Sequence, residues 1–285
     1  MTLKGRYARD RAIEILMVLL TLLVVIPLLI IIGYVVLNGV SALNADFFTQ
    51  ELGSPARATQ GRPAGLVHSI MGTIIIDLMA LVMAVPFGIA TGIMMSEYQE
   101  HPFAPVARLM TSTLNGMPAV LMGLLAYALV VKNTGGFSAL AGSVALAFVM
   151  VPIIARTTES VLRVTPWSLR EAGLSLGLPR WRVTMSLVLP AARSGVVTGV
   201  LIAFARAAGE AAPLLLTSFG NNFLSFDVTR PMDTLPQRLY SLAISPYRQW
   251  HAMGWGAAII LLLFVMVTFL VGRIVIRKLE KQMHA

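Results

Sequence analysis

Six stretches of this sequence, near residues 13–37, 70–95, 109–131, 137–155, 195–219 and 253–271, are apolar over a length that crosses a bilayer. A hydrocarbon layer about 30 Å thick takes about 20 helical residues. In lipid the backbone must satisfy its own hydrogen bonds, which leaves helices or closed barrels. Barrel strands alternate apolar and polar residues with period two, and no such alternation runs through these stretches. Composition agrees, since 57% of the 285 residues are hydrophobic and 12% are charged, whereas a soluble domain carries about 25% charge. The fold class that follows is an all-α integral membrane protein with six transmembrane helices. Prolines in or beside the spans (Pro27, Pro86, Pro118, Pro152, Pro213) are tolerated better there than in soluble helices.

Lysine and arginine fix orientation, because cytoplasmic segments hold their excess. With the N-terminus inside, the cytosolic segments hold fifteen bases, the outer ones six, and Arg206 lies within a span. Both termini are therefore expected in the cytosol. The formal charge of +9 is accounted for by these loops and not by a nucleic-acid face. Behind the basic head (Lys4, Arg6, Arg9, Arg11), the apolar run Ile15 to Leu37 exceeds the 7–15 residues or so of a signal-peptide core, so 13–37 is expected to stay as an anchor helix. The chain has no cysteine, and His68, His101, His251 and His284 have no metal-ligand spacing. Two outer loops, 38–69 and 220–252, are either connectors or a surface for an external partner.

Between the fourth and fifth spans lies a segment of unusual order, Ser168 to Ala192. Thr165-Pro166 forms a helix start, a hydroxyl cap followed by proline at the first helical position. Leu169, Ala172, Gly173 and Leu176 then recur at helical spacing and predict one apolar stripe, with Arg170, Glu171 and Ser175 on the remaining surface. Gly177 is placed to end that helix in a left-handed conformation. Pro179 opens a second helix, with Trp181, Thr184, Leu187 and Val188 on one side, running to Leu189-Pro190. Periodicity leaves two readings open: a surface on which another protein docks, or an amphipathic helix lying on lipid.

The fifth span holds Arg206 and Glu210, four apart and expected on one helix face. A charge at mid-membrane costs about 2.5–3.5 kcal/mol on insertion scales, so such residues face a bundle interior, a partner or a water-filled path. One reading is a self-neutralising pair. The other, favoured because the acid follows the base against the better order for helix support, is a transport pathway. The arginine fork suits an oxyanion, and Glu210 would orient it. Asp77, inside the second span, is either a helix–helix hydrogen-bond partner or a pathway residue. Arg156, at the end of the fourth, is either a topology anchor or a guide for anion exit.

The segment resembles the EAA loop of ABC importer permeases: Glu171-Ala172-Gly173, three residues, Gly177, nine residues, Leu187, Val188, Leu189-Pro190. Gly173 stands where that pattern has a second alanine, and Leu187 where it has isoleucine. "RAAGEAAPLLLT" from Arg206 region onward, "RTTESVLRVTPWSLREAGLSLG" from Arg156 and "LNGMPAVLMGLLAY" from Leu114 are similar to PstA-type permeases of phosphate-specific ABC importers. Ala211 and Ala119 replace a threonine and a serine of that pattern. The resemblance implies a type I ABC importer permease fold: one permease domain over 1–285, a core over 66–275 and a cytosolic coupling loop over 161–192. It also implies a PstC-type permease partner, two copies of an ABC ATPase, a phosphate-binding receptor and a place in the inner membrane. The coupling residues it points to are Glu171, Ala172, Gly173, Gly177, Leu189 and Pro190. No Gly-Lys dipeptide occurs in the chain, so a phosphate-cradling P-loop is absent; ATP and Mg belong to the ATPase, and no cofactor is expected here. The competing readings are a permease for another oxyanion, such as molybdate or sulfate, and a stand-alone secondary transporter.

Overall fold

The computed structural model describes residues 3–54 and 64–281. Arg57, Arg62, part of the 38–69 loop and His284 lie outside them. The first helix, α1 (Leu3–Gly39), contains Pro27. None of its apolar window is covered by the other described residues, and it meets the body at its C-terminal end, where Tyr34 meets Trp255 edge-on at 5.3 Å. A short α2 (Ala45–Thr49) follows, its N-terminus capped by the Asn44 side chain, which accepts from Phe47 N at 2.9 Å.

Two long helices form the core. α3 (Val67–Glu97) packs along α6 (Ala139–Val164), with Ile76, Ala80 and Ala84 against Leu146, Met150 and Ile154. Small side chains at this seam bring the backbones close, the means by which helices associate in lipid. Between them, α4 (Phe103–Gly116) and α5 (Ala119–Ala126) meet at a bend; α5 runs on through a π turn at Tyr127–Val131 to Thr134.

The expected span 109–131 is therefore two helices, bent by 112°. Pro118 causes the break: it lacks an N–H to continue the ladder and pushes Met117 into an extended conformation (ψ 140°). The expected span 137–155 is the first part of α6, which continues as far as Val164.

After α6 come α7 (Trp167–Ser175) and α8 (Arg180–Val183), a π turn at Thr184–Val188 and one turn at Leu189–Ala191. A 74° bend leads into α9 (Arg193–Ala208). The expected span 195–219 ends early, since Gly209 closes α9 and Pro213 belongs to a separate short helix, α10 (Ala212–Leu215). A loop, α11 (Leu235–Ala243) and α12 (Arg248–Lys281) complete the chain. Among the described residues, four helices are long and apolar enough to cross a membrane, and up to six spans result if each bent pair counts as one.

The helices place α7 and α8 beside Glu97, the last residue of α3. The loop before α11 packs against Ser69 and Thr73 near the first turns of α3. These two regions, the loop end and the far end, are thus separated by the length of α3, about 45 Å at 1.5 Å per residue.

Candidate functional site: the interhelical loop and the arginine at the bend

At the loop end, α7 starts one residue later than the sequence indicates. Pro166 occupies the cap position, and the Thr165 hydroxyl donates back to Val161 O at 3.1 Å, finishing α6 instead of starting α7. The C-terminus of α7 agrees with expectation. Gly177 has φ +77°, its N–H donates to Leu174 O at 2.9 Å, and Leu178 N donates to Gly173 O at 3.2 Å. This pair of bonds is the Schellman ending, in which a left-handed residue lets the chain return over the last turn.

Gly173 lies against α8 and the turn after it; a Cβ there would sit 2.8 Å from both Val183 Cγ2 and Leu187 Cδ1. Val183, Val188, Ala192 and Val196 then form one apolar cluster with Ile93 of α3 and Leu162 of α6, joined by Leu189. Pro190 follows the π turn, as expected of a residue that cannot supply the regular ladder bond.

The expected apolar stripe of α7 is turned from its place. Gly173 is buried and Leu169 half-buried, but Ala172 is exposed and Leu176 is 81% exposed; Glu171 and Ser175 are exposed as expected. Arg170, expected on the surface, is 6% exposed. The reason is its hydrogen bonding. Its Nε donates to Glu97 Oε2 at 2.9 Å and its Nη2 to Glu97 Oε1 at 2.6 Å. The same guanidinium donates to Leu162 O at 2.8 Å and Thr165 O at 2.9 Å, carbonyls left over at the end of α6. On the second helix the side of Thr184 and Val188 faces inward, whereas Trp181 faces out. Val164, Trp167, Leu176 and Trp181 together leave large apolar side chains uncovered on the loop. Exposed apolar side chains grouped in this way mark a contact with another protein or with lipid.

Arg156 sits in a second charged group that the sequence did not single out. Buried Glu159 accepts from Arg156 Nη1 at 2.8 Å and Arg108 Nε at 3.0 Å, and lies 2.8 Å from Arg163 Nη2. Arg108 also donates to Met95 O at 2.9 Å, fastening α4 to α3. One carboxylate thus holds three guanidinium groups, and the excess positive charge faces outward, since the side chains of Arg156 and Arg163 are about half exposed.

Arg206 and Glu210 do not share a helix face, because α9 stops at Ala208. They still approach, at 3.9 Å between Nε and Oε1, with the arginine side chain 52% exposed. Arg206 lines a cleft of about 10 Å³ with Leu114, Asn115, Met117, Ala119, Met122 and Val149. That is room for about one water molecule, at the bend made by Pro118. Asp77 is buried on α3, and its Oδ2 has no hydrogen-bond partner among the described residues. The structure therefore brings Arg206 to Glu210 and Arg156 to Glu159. At the far end, Asn221 and Asn222 line a cleft of about 280 Å³ with Asp233, Gln237 and Arg238. No cluster of possible metal ligands occurs among the described residues.

Comparison with known proteins adds to this geometry. The family model for the binding-protein-dependent transport system inner membrane component matches residues 84–281. The phosphate transport system permease protein PstA of Xylella fastidiosa (strain Temecula1) is 38% identical over 233 residues, covering 81% of this chain and 79% of its own. PstA of Yersinia pestis is 38% identical over 240 residues, with 84% and 80% covered. Among solved structures, an inward-facing form of the MetNI methionine ABC transporter superposes with TM-score 0.65 at 17% identity, covering 75% of this chain and 95% of that one. An amino acid ABC transporter gives TM-score 0.55 at 15% identity, covering 83% and 100%. With a bilayer-length set of helices, a loop that folds as a unit and these relatives, the chain belongs to the family of binding-protein-dependent transport system inner membrane components and has the fold of a type I ABC importer permease.

Proposed function

We propose that this chain is a permease subunit of an ATP-driven importer that carries inorganic phosphate across the cytoplasmic membrane. The observation that carries this reading is the loop between α6 and α9: two short helices locked by a Schellman turn, seated on α3 and α6 through a shared apolar cluster and with an uncovered apolar face. Such a unit can bear force from a separate ATPase. Gly173, Gly177, Leu189 and Pro190 shape it, and Glu171 and Ala172 present its surface. Phosphate as the cargo is supported by the relatives, which are phosphate permeases, and by the arginine fork at the bend.

In this mechanism Arg206 binds the anion, and Glu210, too far for a firm hydrogen bond at 3.9 Å, limits the affinity so that the anion leaves. The excess guanidinium charge around Glu159, with Arg156, draws the anion towards the cytosol. Asp77 serves the path from within the bundle. The assembly comprises this chain, a PstC-type permease, two copies of an ATPase that holds ATP and Mg, and a phosphate receptor on the outer side. A loaded receptor and ATP shift the permease pair between its two openings only insofar as they bind one state better.

The test is reconstitution of the complex in liposomes: ATP-dependent uptake of labelled phosphate, diluted by unlabelled phosphate and not by equal sulfate or molybdate. Loss of the signal to sulfate or molybdate, or uptake by the lone chain on an ion gradient, would refute the proposal. Orientation is checked separately. Because the chain has no cysteine, Ser175→Cys on the exposed face of α7 gives a single label site. It should react with an impermeant maleimide only in inside-out vesicles, and labelling of intact cells would reverse the topology.

A further inference from the structure

α3 is fastened at both ends by polar contacts that its apolar sequence hides. At the loop end Glu97 and Arg170 form a fork-to-fork pair whose side chains are both less than a tenth exposed. The same arginine is tied to the last carbonyls of α6. At the far end the Ser69 hydroxyl donates to the Asp233 carboxylate, which also accepts from Arg238 Nε at 2.7 Å. Arg238 Nη2 in turn donates to Asn222 Oδ1 at 2.8 Å. The Thr73 hydroxyl accepts from Leu235 N at 2.8 Å. Gly72 lies so close that a Cβ would come 1.9 Å from Asp233 O. Between these ends α3 is backed by the α6 seam.

A two-point guanidinium–carboxylate contact fixes direction as well as distance, which a single ammonium contact does not. A helix held this way moves with α7 and does not slide past it. We infer that the Arg170–Glu97 pair is the link by which motion of the coupling loop is carried along α3 to the Asp233–Arg238 junction at the opposite end. Arg170 is thus a positioning residue beneath the docking face and makes no contact with the ATPase itself. This inference rests on the reading of the chain as an ATPase-driven importer subunit. Physical continuity alone does not establish coupling, so the test must detect a change of state at both sites.

The experiment uses the reconstituted complex with Glu97→Gln, which keeps the size of the side chain and loses the charged fork. Two reporter labels are placed in turn, at Ser175→Cys on α7 and at Phe226→Cys on the exposed far-end loop. In the otherwise unsubstituted complex, ATP with loaded receptor should change the emission of both. With Glu97→Gln, the Ser175 label should still respond, the Phe226 response should disappear, and uptake should fall at least tenfold. If Glu97→Gln prevents assembly, Arg170→Lys, which keeps the charge and loses the fork, is measured in the same way. An unchanged Phe226 response, or uptake within twofold of the parent complex, overturns the link. Absence of ATP-driven phosphate uptake in the parent complex overturns the functional reading instead.

Discussion

Arg206→Ala is expected to reduce ATP-driven phosphate uptake by roughly a hundredfold while the complex still assembles. Losing hydrogen bonds from a charged donor to the anion costs about 1.5–3 kcal/mol, and each 1.4 kcal/mol or so is a factor of ten. Assembly should survive because the side chain is half exposed in this chain and its pairing with Glu210 is loose. Little packing is lost when it goes. Arg206→Lys keeps the charge without the planar fork and should retain about a tenth of the uptake. Initial rates in proteoliposomes, normalised to assembled complex, separate these outcomes. Uptake within threefold of the parent in Arg206→Ala would remove the residue from the path.

Gly173→Leu is expected to uncouple ATP hydrolysis from transport. The new side chain would have to displace Val183 and Leu187, since even its Cβ would stand 2.8 Å from both. Overpacking of this kind costs about 1–3 kcal/mol and wedges α7 away from α8. The ATPase should then hydrolyse ATP at its basal rate without stimulation by loaded receptor, and uptake should fall more than tenfold. Gly177→Asp perturbs the same unit differently. Nothing lies within 4 Å of its Cβ position, so the cost is conformational, about 1–2 kcal/mol for holding a residue with a Cβ in the left-handed conformation. Its effect should be smaller than that of Gly173→Leu. Equal, near-parental coupling ratios in both variants would show that the loop's shape does not matter to transport.

The parts of this site that were legible in the sequence are those set by local backbone requirements. Gly177 had to end α7, because a helix stop followed by Pro179 needs a residue free of Cβ strain. Pro118 and Gly209 were visible as well, yet the continuous apolar runs around them concealed where the 112° bend and the end of α9 fall. Arg170 turns inward for a tertiary reason. Leucine spacing drew the apolar stripe through Leu176, but the partner that buries Arg170 is Glu97, seventy-three residues away, and nothing near Arg170 signals it. Glu159 does carry a local signal, with Arg156 three residues before it and Arg163 four after it on one helix face, and only Arg108 reaches it from another helix. Long-range ion pairing, not helix propensity, decides which face of α7 turns inward.

The first helix carries one more consequence. Its long apolar window is uncovered by the other described residues, so the free energy that seats it comes from the surrounding lipid and neighbours, and hardly from intramolecular packing. Stripped into a detergent micelle, the protein should thus melt in two stages. A terminal rod would loosen first, at a temperature that follows micelle thickness, while the remaining bundle would hold to a later transition indifferent to it.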